Sequence, residues 1–207
     1  MQDATVVEIE TPQGPARAHV RVPPDARAAL VLGHGAGGGV GARDLVVAAE
    51  EALGLGVAVA LVEQPYRVAG RRAPPRAPRL DEAWIAVVGH LSAAELAGLP
   101  VVTGGRSSGA RVACRTAAQT GAAGVLCLAF PLQPASRAGS APRPTRLPEL
   151  EAVPVPVLVG LGERDPFGMP PDGPGRTVAR IAGDHSLKSD VGALRDAVSE
   201  WLAGLLG

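Results

Sequence analysis

The hydrophobic positions of this chain fall into short dense runs separated by longer amphipathic stretches. Residues 4–10 and 15–22 alternate in the manner of strands around a Pro/Gly turn, which predicts an N-terminal hairpin. Residues 28–33 (AALVLG) and 57–62 (VAVALV) are continuous apolar runs that suit buried strands, with a helical stretch over 43–54 between them. Residues 64–79 read as a loop rich in Pro and Arg. Leu80, Trp84, Val87, Val88 and Leu91 recur at helical spacing and predict a core-facing helix over 80–97, which Pro100 cannot continue. Strand 100–104, helix 108–120 and strand 124–130 follow, then a Pro-rich loop over 131–148. Strand 154–160, a short strand near 176–181 and a closing helix over 190–205 complete the chain. Val191, Leu194, Val198, Leu202 and Leu205 form the apolar face of that last helix.

Buried strands alternating with helices predict a three-layer α/β sandwich, a mostly parallel sheet with the antiparallel hairpin at its start. At 207 residues the chain is expected to form one domain, 1–207. In such sheets the chemistry lies at the carboxyl ends of the strands.

Composition narrows the possibilities. Aromatic residues make up only 2% of the chain, so the core has to be built from Val, Leu and Ala. The formal net charge is zero, which gives no footprint for nucleic acid or an anionic membrane surface. The N-terminal MQDATVVEIETPQG has neither a basic nor an apolar leader region, and no apolar run is long enough to span a membrane; a cytoplasmic protein is expected. Cys114 and Cys127 each sit in an apolar segment, as buried thiols would, and neither has metal-ligand spacing.

The segment VVTGGRSSGARVACRTAAQ contains Gly105-Arg106-Ser107-Ser108-Gly109, a G-x-S-x-G sequence between a strand and a helix. The turn that projects a nucleophilic serine there is so tight that residues two before and two after it must be small. Gly105 and Gly109 satisfy that for Ser107; Ser108 would need Arg106 and Ala110 in those places. A serine hydroxyl needs a base held by an acid, in the chain order serine, acid, histidine. Asp165, just beyond strand 154–160, is the candidate acid, with Glu163 as the alternative. His185, in GDHSLKS before the last helix, is the candidate base. His19 and His90 read as structural or solvated, and Asp184 adjoins His185 too closely to face it.

The glycine-rich stretch LGHGAGGG formally fits G-x-G-x-x-G at Gly33, Gly35 and Gly38, with Glu63 at a strand end where a dinucleotide site wants an acid. That reading leaves Ser107, Asp165 and His185 unexplained. An oxyanion site explains all of them: acyl transfer needs two backbone N–H donors, one from the residue after the nucleophile, Ser108, and one from a loop of the HGGG kind, here Ala36, with His34 as a structural residue of that loop. No cofactor or metal is expected.

These motifs resemble the α/β-hydrolase superfamily, and more narrowly a small dienelactone-hydrolase-like group that includes a non-catalytic-looking subunit of a chromatin acetyltransferase complex. LGHGAGG, QPYRVAGRRAPPRAP, GGRSSGAR, AFPLQP, GERDPFG and GDHSLK carry the resemblance, over residues 32 to 188. It implies a Ser107, Asp165, His185 triad and an eight-stranded sheet, shortened here. The chain departs from the group at Ser108, where a methionine is usual, and at Gln133-Pro134-Ala135, where the group has His-Pro-Pro. Only 131–148 is available as cover, so no large cap domain and an open site are expected. The expected function is a serine hydrolase acting on a small-molecule ester, thioester or related acyl compound; the alternative is the same fold used as a non-catalytic protein-interaction module. Arg71 and Arg72, in a loop with no acid among residues 64–79, and Arg106 beside the nucleophile are the candidate substrate-binding cations.

Overall fold

In the computed structural model, residues 4–134 and 143–207 are described. Eight strands form one sheet: β1 (Thr5–Ile9), β2 (Ala16–Arg21), β3 (Ala28–Gly33), β4 (Val57–Glu63), β5 (Val101–Arg106), β6 (Gly124–Leu128), β7 (Val157–Gly162) and β8 (Arg176–Ile181). Their order is β1-β2-β4-β3-β5-β6-β7-β8. β1, β2 and β4 pair antiparallel, and every pair from β4 to β8 is parallel. The helices are α1 (Arg43–Gly54), α2 (Pro65–Val68), α3 (Ala77–Ala93), α4 (Ser108–Thr120), α5 (Leu147–Glu151) and α6 (Val191–Leu206). Among the described residues no cap domain covers the sheet.

The two central strands show why the chain folds this way. Every residue of β3 is buried, and alternate side chains go to opposite faces. Leu30 and Leu32, with Val59 and Leu61 of β4, join a core with Leu45, Ala48 and Ala49 of α1. Ala29, Val31, Ala58 and Ala60 join the other core, with Leu80, Trp84, Val87, Val88 and Leu91 of α3. The small side chains on that second face leave the volume that Trp84, 1% exposed, fills. The helical stripe read from the sequence is therefore a core face.

Several boundaries differ from the sequence expectation, and proline or backbone geometry explains three of them. α3 starts a turn early, at Ala77, because Pro78 in the first turn lacks only an N–H that has no intrahelical acceptor there; it also ends at Ala93, before 97. β7 starts at Val157 rather than 154, since Pro154 and Pro156 have no N–H to give a central ladder. β6 stops at Leu128, because Ala129 turns to φ 50°. The loop 64–79 contains the short helix α2. Residues 135–142 of the Pro-rich loop, Ala135 included, lie outside the described residues.

Candidate active site

Ser107 sits between β5 and α4 with φ 53° and ψ −107°, a conformation that L residues with a Cβ rarely adopt. The crossing is tight: a Cβ on either Gly105 or Gly109 would collide with the Gly33 carbonyl oxygen. The Ser107 amide donates to the Leu128 carbonyl at 2.8 Å, which fixes the turn to the end of β6. Ser107 is also the N-cap position of α4, so its side chain stands in the positive potential of the helix start.

His185 lies in the loop between β8 and α6. Its Nε2 is 3.2 Å from Ser107 Oγ, and its Nδ1 is 2.7 Å from Asp165 Oδ2. A carboxylate only accepts, so the proton sits on Nδ1, and Nε2 is left to accept from the serine hydroxyl. The Asp165 side chain is 1% exposed. Its second oxygen accepts the Phe167 N–H at 2.9 Å, and the Phe167 ring meets the imidazole edge-on with centroids 4.8 Å apart. The Gln133 N–H donates to the Phe167 carbonyl at 2.7 Å, which ties the segment after β6 to this acid turn. Glu163 and Asp184 are exposed, and Asp184 is occupied by the amide and hydroxyl of Ser186.

The glycine loop follows β3. The backbone amide of Gln64 donates to His34 Nε2 at 3.1 Å, so His34 carries its proton on Nδ1 and donates it to the Gly35 carbonyl at 2.9 Å. Burial pushes the His34 pKa below its ordinary value, in keeping with a neutral ring. Because a trans peptide sets its C=O and N–H in opposite directions, anchoring the Gly35 oxygen turns the Ala36 N–H away from His34. The Ser107 carbonyl is likewise held by the Arg111 amide at 3.3 Å, so the Ser108 N–H points out of the helix start. Among the described residues neither amide has a partner. Gly35 lies against the serine: a Cβ there would be 3.6 Å from Ser107 Cβ.

The sequence profile of the alpha/beta hydrolase domain matches residues 26–192. The chain belongs to the α/β hydrolase family. A solved α/β serine hydrolase without lid from Xanthomonas campestris is 20% identical, with 97% of this chain and 96% of that one aligned at a TM-score of 0.70. A dienelactone hydrolase from Anabaena variabilis is 16% identical over 98% and 97%, at 0.75. A hyperthermophilic esterase from Pyrobaculum calidifontis is 20% identical over 99% and 83%, at 0.67. At such identities the likeness is one of fold. No curated protein matches the chain in sequence.

Arg71 and Arg79 line a cleft of about 250 Å³ between the 13–15 turn and residues 64–80, at the carboxyl edge of the sheet beside β4. Arg72 is exposed and is not part of that lining. Arg106, expected to bind substrate, is engaged otherwise: its Nε is 2.8 Å from Asp44 Oδ2, and its Nη2 donates to the His185 carbonyl at 2.9 Å. Arg111 pairs with both oxygens of Glu149, at 2.6 and 2.9 Å, and is structural. His19 bonds Glu63 at 2.7 Å, and His90 is 3.9 Å from Glu95 on the surface. A larger cleft, about 710 Å³ and lined by Val20, Pro23 and Leu53, is at the opposite end of the sheet. Among the described residues no helix is long and apolar enough to cross a membrane.

Asp44, Gln64, Tyr66 and Phe167 surround the site and were not singled out from the sequence. Gln64, Tyr66 and Phe167 lie within the QPYRVAGRRAPPRAP and GERDPFG motifs, but those motifs do not say what each side chain contacts, and Asp44 carries no signal beyond a polar residue near the start of α1. What gives them meaning is a partner distant in the chain.

Proposed function

We propose that this α/β hydrolase domain is a serine hydrolase that cleaves a small ester, thioester or related acyl compound through an acyl-enzyme. The observation that carries the reading is the hydrogen-bonded series from Ser107 Oγ through His185 to Asp165, at 3.2 and 2.7 Å. His185 Nε2 takes the Ser107 proton as Oγ attacks the acyl carbon. The charge that develops on the carbonyl oxygen is met by the Ser108 and Ala36 amides, and loss of one such donor typically costs about 10²–10³ in turnover. Protonated His185, stabilised by Asp165, gives its proton to the leaving oxygen or sulfur. Water, deprotonated by the same nitrogen, then releases the acid and regenerates Ser107.

The cleft at Arg71 supports a further part of this reading, that an anionic group on the substrate is drawn toward that rim. With Arg71→Ala, KM should rise for a carboxylate-bearing ester and stay unchanged for a neutral one of the same length. The primary test is hydrolysis of p-nitrophenyl esters of increasing chain length. Wild type and Ser108→Ala should turn over and Ser107→Ala should not; equal turnover by wild type and Ser107→Ala would remove Ser107 from the chemistry.

A further inference from the structure

Arg106 immediately precedes the nucleophile, yet its guanidinium turns aside. Nε meets the Asp44 carboxylate, which opens α1 and whose side chain is 1% exposed. Nη2 donates to the main-chain carbonyl of His185. Nη1 lies against the glycine loop, where a Cβ on Gly35 would come within 3.2 Å of it. One planar group therefore touches the glycine loop, the start of α1 and the histidine loop, and it is rooted in the turn that carries Ser107. From the geometry we infer that Arg106 is a positioning residue, anchored by Asp44, which holds the His185 backbone so that the imidazole spans Ser107 and Asp165.

The anchoring follows from the chemistry of the pair. The contact with Asp44 is an ion pair at 2.8 Å, not a hydrogen bond, since Asp44 Oδ2 accepts from no donor among the described residues; the buried charge holds the rigid guanidinium plane in place, and that fixes where Nη2 points. Burial pushes the Asp44 carboxyl above its ordinary pKa, and the Arg106 charge and the Leu45 amide oppose that. The histidine loop needs the hold, since Leu187 within it stands at φ 51° and His185 is half-buried. A lysine could satisfy Asp44 or the carbonyl, but its point charge cannot fork across both.

The inference rests on the proposed role of His185, but part of its test is independent of turnover. In Arg106→Gln and Arg106→Lys, folding is checked by circular dichroism, and the Nδ1 proton of His185 is followed by NMR as a downfield, slowly exchanging resonance. Ester hydrolysis is measured in parallel. Both variants should broaden or lose that resonance. Their kcat should fall about 10- to 100-fold at nearly constant KM, the scale of a small misplacement of a catalytic group. If Arg106→Gln fails to fold, Arg106→Lys, which keeps a cation beside Asp44, carries the test. An unchanged resonance overturns the inference, whatever kcat does. A lost resonance in a protein whose wild type hydrolyses nothing leaves the brace standing and sinks the hydrolase reading instead.

Discussion

The Tyr66 hydroxyl donates to the carbonyl of Ala36 at 3.0 Å, across the gap between α2 and the glycine loop. His34 anchors the preceding carbonyl, so two consecutive peptides of the loop are held from the side of β4. Tyr66→Phe deletes one hydrogen bond with almost no change in shape. At about 1 kcal/mol per bond, kcat should fall about fivefold with KM unchanged. An unaltered kcat would show that the loop holds its geometry without Tyr66.

His34 makes stability depend on pH. Burial lowers its folded pKa below the ordinary value of about 6.5, so below that pH the unfolded chain takes up a proton that the folded chain resists. Stability from this group is complete above the unfolded pKa and is lost as pH falls toward the folded one. Protonation would also set a second N–H against the Gln64 amide. Between about pH 7.5 and 5.5, the melting temperature of wild type should drop further than that of His34→Asn, which has no ring to titrate. Parallel declines would place the pH dependence elsewhere.

The crossing of β3 and the serine turn tolerates no methyl group. Gly109→Ala puts a Cβ into the Gly33 and His34 carbonyls, both backbone, so neither can swing away as a side chain could. The loss should reach at least about 3 kcal/mol in urea unfolding, the upper end for overpacking. Gly37→Ala, with nothing within 4 Å, serves as the control and should be close to neutral.

Cys114 on α4 and Cys127 on β6 are free thiols 3.3 Å apart and buried. The hydrogen bond to Cys114 and burial hold the Cys127 thiol well above its usual pKa, which starves it of the reactive thiolate. Iodoacetamide should leave both unmodified in the folded protein and alkylate both in urea. Rapid labelling of the native protein would mean that α4 and β6 separate readily.

Much of this architecture is legible in the sequence because its rules are local. Apolar runs such as 28–33 and 57–62 can hardly be anything but buried strands in an alternating chain. The small residues flanking Ser107 answer a steric demand within five positions. The order Ser107, Asp165, His185 follows from topology, and these three side chains do come within hydrogen-bond reach. What the sequence leaves illegible is what depends on partners. Arg106 reads as a candidate substrate-binding cation beside Ser107 until Asp44 is seen to pair with it. Pro78 looks like a loop residue until the helix is seen to begin just before it. Tyr66 has no legible role without the Ala36 carbonyl opposite.

The central claim is that His185 activates Ser107 as a nucleophile, and fluorophosphonate labelling with peptide mapping tests it most directly. Wild type and Ser108→Ala should take up the probe on residue 107, and Ser107→Ala should take up none, with His185→Gln slowed by orders of magnitude. Folded wild-type protein that resists the probe, or that carries it on another residue, would contradict the account.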